Sequence, residues 1–500
     1  MKKQMKKAGF ILTAAVLSLS IALGGCSSNE TPAASVNNSK AEPAELKPVE
    51  LSWHYLAWED PKDLAAVNEK INEITTKKIN ATVKLYPLTW DNFKQKTNIM
   101  AAAGDTYDLV FTSNWINEFD QAVSKGALRK LDDLWQYMPN VKKSIPDEIW
   151  KATSVKGSNY AVINKQIFAN QYGIGIIEPY VKEYNLELDQ ITSYEQILPV
   201  FEKIHADHKD VKLRGIGFDT LGFAPAFFGK FEAIGDTQLP GWLNAEGKVI
   251  NQYDTPELRK VAQYNASLVQ KGYIDPRSKL PGQDFTEDEK ANKYPIDNVE
   301  LIKPDMVTNG ALAKDGKTKR VFNLITKPKI FSNSLTAAMT GISTTSKNPE
   351  RAAMLIELVN TDKELYNLIT FGIEGKHYTK AGDNLITKIA DSGYNTNTDF
   401  VFGNVFNGFY TDPGQVGSWD ATEKLNNEAE YSELLGFNFV SEPVKTEIAA
   451  VKSVMDEYGN VFAGWFPEKY EEFLAKLKNA GVDKIIAEKQ RQVDEWKSSL

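Results

Sequence analysis

The stretch VELSWHYLAWEDPKDLAAVNEKINEITTKKINATVKLYPLTWDNFKQKTNIMAAAGDTYDLVFTSNW, residues 49–115, decides the fold class. Residues 49–55 alternate apolar and polar side chains, as a half-buried strand does. A helix is predicted over 61–78, with Pro61 in the first turn, where a missing N–H costs nothing. ATVKLYPL (81–88) reads as a strand, 90–103 as a helix and 107–112 as a buried strand. Strands alternating with helices at this spacing predict an α/β sheet. Ligands of such sheets gather beyond the carboxyl ends of the strands. Here those ends are 55–59 and Ser113-Asn114-Trp115.

A second α/β unit is predicted further on. Residues 193–208 read as a helix, 211–218 as a strand and 223–231 as an aromatic-rich segment. A turn at 246–249 leads into a strand, and 255–271 reads as a helix capped by Thr255 with Pro256 at its first position. The charged, proline-bearing stretch 280–300 reads as a surface loop. An apolar segment over 337–343 precedes a helix over 348–360, with Asn348 and Pro349 in a capping arrangement, and Thr361 opens another to Phe371. The last hundred residues read mostly as helix, and no internal repeat or coiled coil is found.

Composition narrows the function. The 500 residues are 42% hydrophobic and 25% charged, enough for more than one core. A nucleic-acid binder needs a basic face, and neither the net charge of −8 nor any local run suggests one. The single cysteine, Cys26, excludes an intrachain disulfide and a thiolate metal cluster. His205 and His208 fit an exposed helix face better than a metal pair, so no metal and no cofactor is expected. The first residues carry Lys2, Lys3, Lys6 and Lys7 and then FILTAAVLSLSIAL, a basic region followed by an apolar one, as in a secretory signal. That run falls short of the ~20 apolar residues of a membrane span. Leu23-Gly24-Gly25-Cys26 resembles a bacterial lipobox, which predicts a signal peptide over 1–25, lipidation at Cys26, and a polar tether over 26–48.

From Val49 onward the chain resembles the bacterial extracellular solute-binding proteins of ABC importers, family 1, the sugar-binding type, and within them a lipoprotein subgroup. YDLVFTSNW (107–115) resembles their strand and pocket loop. GISTTSKNPERAAMLIELVNTDKELYNLITFGIEGKHY (341–378) resembles their returning strand, helix pair and Gly-Ile-Glu-Gly turn, and FNFVSEPVKTEIAAV their closing region. The resemblance implies a two-lobed, type II periplasmic-binding-protein-like α/β fold with a hinge and an interlobe ligand cleft. It implies chain crossings near 160–170, 338–341 and 395–400, giving one lobe from 49–165 plus 340–396 and another from 166–339 plus 397–500. It implies a non-catalytic, monomeric receptor, held by a lipid outside the cytoplasm, that delivers its solute to the permease's transmembrane subunits. Two lobes closing on a ligand that touches both suit that task, and an anchor raises the effective concentration at the transporter.

Sugar rings pack their apolar faces on aromatic side chains, so loop aromatics near strand ends are the candidate ligand contacts. They are Trp58, Trp115, Phe223, Trp242, Tyr378 and Trp419, with Glu59, Asn114 and Glu374 as polar partners. Phe409, Asp60 and Asp219 join them, while core packing competes with ligand contact for Trp53 and Tyr55 on one strand face. An acidic sugar would favour cleft cations, for which Lys156, Lys165, Arg214 and Lys376 are the nearest candidates. An oligosaccharide is the expected solute. A peptide receptor of the same architecture is an alternative, although no pair of opposite charges for peptide termini stands out. An exported glycoside hydrolase would need a matched carboxylate pair, and no such motif, G-x-S-x-G elbow or phosphate-binding loop is found.

Overall fold

A computed structural model describes residues 46–192, 196–214, 231–236, 238–279, 283–299, 302–396, 398–458, 461 and 463–499. The predicted strand at 49–55 is β1 (Val49–Leu56), followed by α1 (Leu64–Ile79), β2 (Ala81–Leu88), α2 (Trp90–Ala103) and β3 (Leu109–Thr112). α1 begins three residues after Pro61 rather than at it. It buries Val67, Ile71, Thr75 and Ile79, one side chain per turn, against the sheet. It ends at Asn80, whose left-handed backbone (φ 44°) turns the chain straight into β2. β2 is an edge strand, and α1 covers that edge with side chains. Asn68 donates to the Val83 carbonyl at 2.8 Å, and the Asn72 side chain accepts from Val83 N at 2.7 Å.

The sheet runs β2-β1-β3, then Met339–Ile342, then Ala161–Ile163. The first three strands are parallel, and Met339–Ile342 is antiparallel to both of its neighbours. Helices Pro349–Thr361 and Lys363–Phe371 pack beside α1 on the same core, to which Phe402 and Tyr366 also belong. The predicted cap of the first of these helices is incomplete: Pro349 opens it, but the Asn348 side chain makes no cap bond. The second is capped by Asp362, which accepts from Leu365 N at 3.0 Å, and not by Thr361.

A four-stranded antiparallel sheet joins Ile296–Val299, Gly173–Ile177, Lys319–Leu324 and Ala311–Leu312, over a core with Phe201 and Leu268. Part of the predicted surface loop at 280–300 is therefore a helix (Thr286–Lys290) and a ladder strand. The apolar partner strand Gly173–Ile177 recruits Ile296, and flanking charge did not reveal that pairing. A three-stranded sheet, Val249–Ile250, Trp242–Asn244 and Phe231–Ala233, shares a third core with helices Lys445–Tyr458, Tyr470–Asn479 and Val482–Ser498. The helix expected at 255–271 is Pro256–Gln270, with the Thr255 hydroxyl accepting from Leu258 N at 3.3 Å. Cys26 and Phe223 lie outside the described residues, as do Asp219 and the second half, 215–218, of the predicted strand at 211–218.

The Gly-Ile-Glu-Gly turn is fixed to the start of α1 by a buried histidine. His377 Nδ1 accepts from Ile373 N at 2.8 Å, so its proton sits on Nε2, which donates to Asp63 at 3.1 Å. Lys376 lies 2.7 Å from the same carboxylate, and this ammonium, with His377, holds Asp63 below the usual carboxylate range. Gly372 has φ +79°, and a Cβ there would lie 2.3 Å from His377 Nδ1, so only glycine fits.

Candidate functional site

β1 and β2 pair in parallel register, Leu56 opposite Leu88, and β1 and β3 pair with His54 opposite Val110. Carrying the second register two residues forward brings Thr112 level with Leu56. Three parallel strands thus end flush, and each is followed within two or three residues by a tryptophan: Trp58, Trp90 and Trp115. The shared end of the sheet brings the three indoles together. Trp58 and Trp90 have ring centroids 5.6 Å apart at an interplanar angle of 6°, and Trp90 and Trp115 lie 5.3 Å apart at 10°. Near-parallel planes at these separations form a slipped stack, in which each ring keeps part of its face uncovered. The exposures are 48%, 45% and 36%. Three large apolar side chains exposed side by side mark a binding surface rather than a stray surface residue.

The inner end of the stack is rigidly held. Trp115 Nε1 donates to the Ala337 carbonyl at 2.7 Å, and its ring rests on Phe111 and Phe400 at 5.9 and 6.5 Å. Asn114 serves this frame: its amide N donates to Thr336 O and its side chain to Asn333 O at 2.7 Å. Asn333 in turn donates to Gly235 O at 3.1 Å, which links the first sheet's strand end to the segment after Phe231–Ala233. A cavity of about 80 Å3 lies at this junction. Across it Lys452 stands 3.0 Å from Asp236 and 3.7 Å from Glu118. Burial pushes the neighbouring Asp120 carboxyl up to about 7.

The sequence candidates separate into those the fold gathers and those it does not. Trp58, Asn114 and Trp115 meet at the flush strand ends, with the exposed Glu59 beside Trp58. Trp90 was missed in the sequence. Its signal was present, since it follows a strand end just as Trp58 does, but a residue opening a helix reads as part of that helix. Trp242 corrects the expectation: it is buried in the core under the three-stranded sheet, because its strand turns that face inward. Trp53 and Tyr55 are likewise buried, both against Phe402. Tyr378 is buried against Phe409, and Glu374 faces solvent 2.9 Å from Lys380. Of the four cations considered for an acidic sugar, three are ion-paired: Lys165 with Glu423, Arg214 with Glu289 and Lys376 with Asp63.

Trp419 forms a separate wall. Its ring stacks on Tyr410 (5.3 Å, 21°), its Nε1 donates to Gly408 O at 3.2 Å, and the Lys303 ammonium lies 4.5 Å over it. It lines a cavity of about 250 Å3 together with Lys303, Lys388, Thr398 and Asp399. Burial lowers the affinity of both lysines for their protons. Among the described residues, no cluster of three or more metal-ligating side chains is found, and no helix is long and apolar enough to cross a membrane.

Comparison with known proteins places this site in context. Residues 433–498, which form most of the C-terminal helical region, match a family described as a domain of unknown function, DUF3502. The chain is 28% identical over 510 residues, covering 99% of both chains, to a protein of Streptococcus pneumoniae named carbohydrate ABC transporter substrate-binding protein. It is 24% identical over 404 residues, covering 76% of this chain and 75% of the relative, to the polygalacturonan/rhamnogalacturonan-binding protein YtcQ of Bacillus subtilis. The crystal structure of the N-glycan transport solute-binding protein NgtS from Streptococcus pneumoniae with Man1GlcNAc shares the fold: TM-score 0.72, 24% identity, 89% of this chain and 99% of that one. The chain thus shares the fold of two-lobed solute-binding proteins and is similar over its full length to a carbohydrate ABC transporter substrate-binding protein.

Proposed function

We propose that the protein captures an oligosaccharide between its lobes and delivers it to the transmembrane subunits of an ABC permease, as a monomer tethered through a lipid on Cys26. The observation that carries this reading is the slipped stack of Trp58, Trp90 and Trp115 at the carboxyl edge of a parallel sheet. Indole faces match the apolar faces of successive sugar rings, and a row of three offers more length than one ring fills. That one relative is named for polygalacturonan and another structure holds Man1GlcNAc supports an oligosaccharide ligand. Lobes divided as 49–165 plus 340–396 and 166–339 plus 397–500 put the tryptophans on the first lobe, and closure then brings the second over them. The Leu23-Gly24-Gly25-Cys26 sequence supports cleavage before Cys26, with 26–48 as the tether. Glu59 supplies a carboxylate beside the stack for sugar hydroxyls.

The test is thermal unfolding of the soluble chain from Ser27 onward against neutral oligosaccharides, acidic oligosaccharides and short peptides. Ligand at a hundred times its dissociation constant stabilises by about 2.7 kcal/mol. Stabilisation by a sugar recovered uncleaved is the expected result. Stabilisation by peptides alone, or cleavage of the sugar, refutes the proposal. Replacing Cys26 by Ser should release the protein from the membrane fraction, and retention there refutes the anchor.

A further inference from the structure

Trp90 and Trp115 stand on separate elements, and one carboxylate ties those elements together. Trp90 opens α2, and Lys94 lies one turn further along the same face. Trp115 follows β3, and Glu118 comes three residues after it. The Lys94 ammonium is 2.9 Å from the Glu118 carboxylate. The loop that joins Trp115 to Glu118 is closely bonded, so a shift of Glu118 is passed on to Trp115. Ser113 Oγ accepts from Trp115 N and Ile116 N at 3.2 and 2.9 Å, the Thr112 hydroxyl donates to Asn117 O at 2.6 Å, and the Asn117 side chain donates to Phe111 O at 2.9 Å. α2 is held differently. Its Phe93 is buried against Phe111, which fixes the depth of the helix. Its exposed face carries two polar ties, Lys94 to Glu118 and Lys125 donating to Asn98 at 3.1 Å. These ties set the rotation of α2, and with it the place of Trp90 against Trp115.

Glu118 is shared with a second, distant element. Lys452 lies 3.7 Å from it and 3.0 Å from Asp236. Lys452 belongs to the helix Lys445–Tyr458, inside the region that matches the domain of unknown function, and its neighbour Val451 is buried in the third core. Phe119, next to Glu118, is buried in the first core. The charges Lys94, Glu118, Lys452 and Asp236 therefore alternate in sign from the core beneath the tryptophans to the core of the C-terminal helices. Burial works against the Lys452 ammonium, yet Asp236 and Glu118 together raise its pKa above the ordinary lysine value. The Glu118 side chain is only 14% exposed, so water and salt screen its pairs less than they screen surface pairs.

We propose that Glu118 is a positioning residue for the tryptophan platform and that Lys452 acts on it from the C-terminal region, so that the fit of Trp90 against Trp115 depends on a helix far away in the sequence. The effect on binding rests on the oligosaccharide reading above; the effect on the rings does not. Near-ultraviolet circular dichroism of the ligand-free chain reads the ring packing, and the part of the spectrum that Trp90→Ala removes belongs to the stack. Isothermal titration with mannopentaose and cellopentaose reads binding. Both are measured for wild type, Glu118→Gln and Lys452→Met, with far-UV circular dichroism to confirm folding. Glu118→Gln leaves Lys452 its other carboxylate, Asp236, and leaves the exposed Lys94 to water, so the chain stays folded. A reduced stack spectrum and an affinity lowered about three- to tenfold are expected in each variant. In a Trp90→Ala background Glu118→Gln should cost little further affinity, because it acts through the ring that is gone. A stack spectrum unchanged in either variant, or an affinity within about twofold of wild type in both, overturns the proposal. A full, additive loss in the Trp90→Ala background also overturns it, since Glu118 then touches the ligand itself. Spectra that change in both variants while wild type binds neither sugar leave the positioning role standing and count against the oligosaccharide reading.

Discussion

Replacing Trp90 by Ala removes the middle step of the indole stack, and the structure sets the size of the effect. A tryptophan side chain offers roughly 150–250 Å2 of surface. With 45% of Trp90 exposed, about 100 Å2 remains for a ligand to cover. At about 25 cal/mol per Å2, complete coverage is worth about 2.5 kcal/mol. A sugar covers only the free part of each ring, so a loss of about 1–2 kcal/mol, or five- to thirtyfold in affinity, is expected. Trp90 is also the aromatic partner on which Trp58 stacks. Once Trp90 is gone, removing Trp58 should cost less than it does alone, a non-additivity typical of residues in contact. The contact is apolar, so the loss should persist in high salt. The assay is isothermal titration of wild type, Trp90→Ala, Trp58→Ala and the double variant with the same oligosaccharide. A folded Trp90→Ala protein that binds within about twofold of wild type would refute the platform.

Two further expectations concern the scaffold. Lys489 is fully buried, donates to the carbonyls of Pro240 and Gly241 at 2.8 and 3.2 Å, and is pushed by burial down to about 7 from its ordinary 10.5. The unfolded chain therefore binds a proton that the folded chain does not between pH 10.5 and 7, so stability falls as pH falls through that window. Lys489→Met should flatten the wild-type slope, removing roughly 4 kcal/mol of difference between pH 10 and 7 in guanidinium unfolding, and an unchanged slope would contradict the burial argument. Gly372→Ala forces a side chain into a left-handed residue and against His377, so thermal unfolding should show a loss of about 2–4 kcal/mol. A neutral result would mean that the His377–Ile373 bond does not hold the turn.

Local pattern was enough for the elements around the site. Alternation in 49–55 and 81–88, and the switch to helical spacing after them, correspond to β1, β2 and α2 almost residue for residue. Thr255 and Pro256 carried a helix start because capping chemistry acts within one turn. Pairing is where local reading stopped. Charges around Ile296 resemble a loop until Gly173–Ile177, more than a hundred residues earlier, supplies the ladder. Strand alternation could not say which face of Trp242–Asn244 turns inward, so Trp242 was read as a ligand contact and is core. The ion pairs were also out of reach, since the lysines chosen from loops are mostly held by carboxylates far away in sequence.

The sequence by itself determined the class that the chain resembles: basic then apolar residues ahead of a lipobox-like Cys26, an alternating α/β beginning, the Gly-Ile-Glu-Gly segment and an abundance of loop aromatics. Only the tertiary structure decided the site. Trp58, Trp90 and Trp115 are 32 and 25 residues apart along the chain and become neighbours because parallel register makes β1, β2 and β3 end level. Register is a relation between strands, set by how their buried faces match, and no single segment contains it.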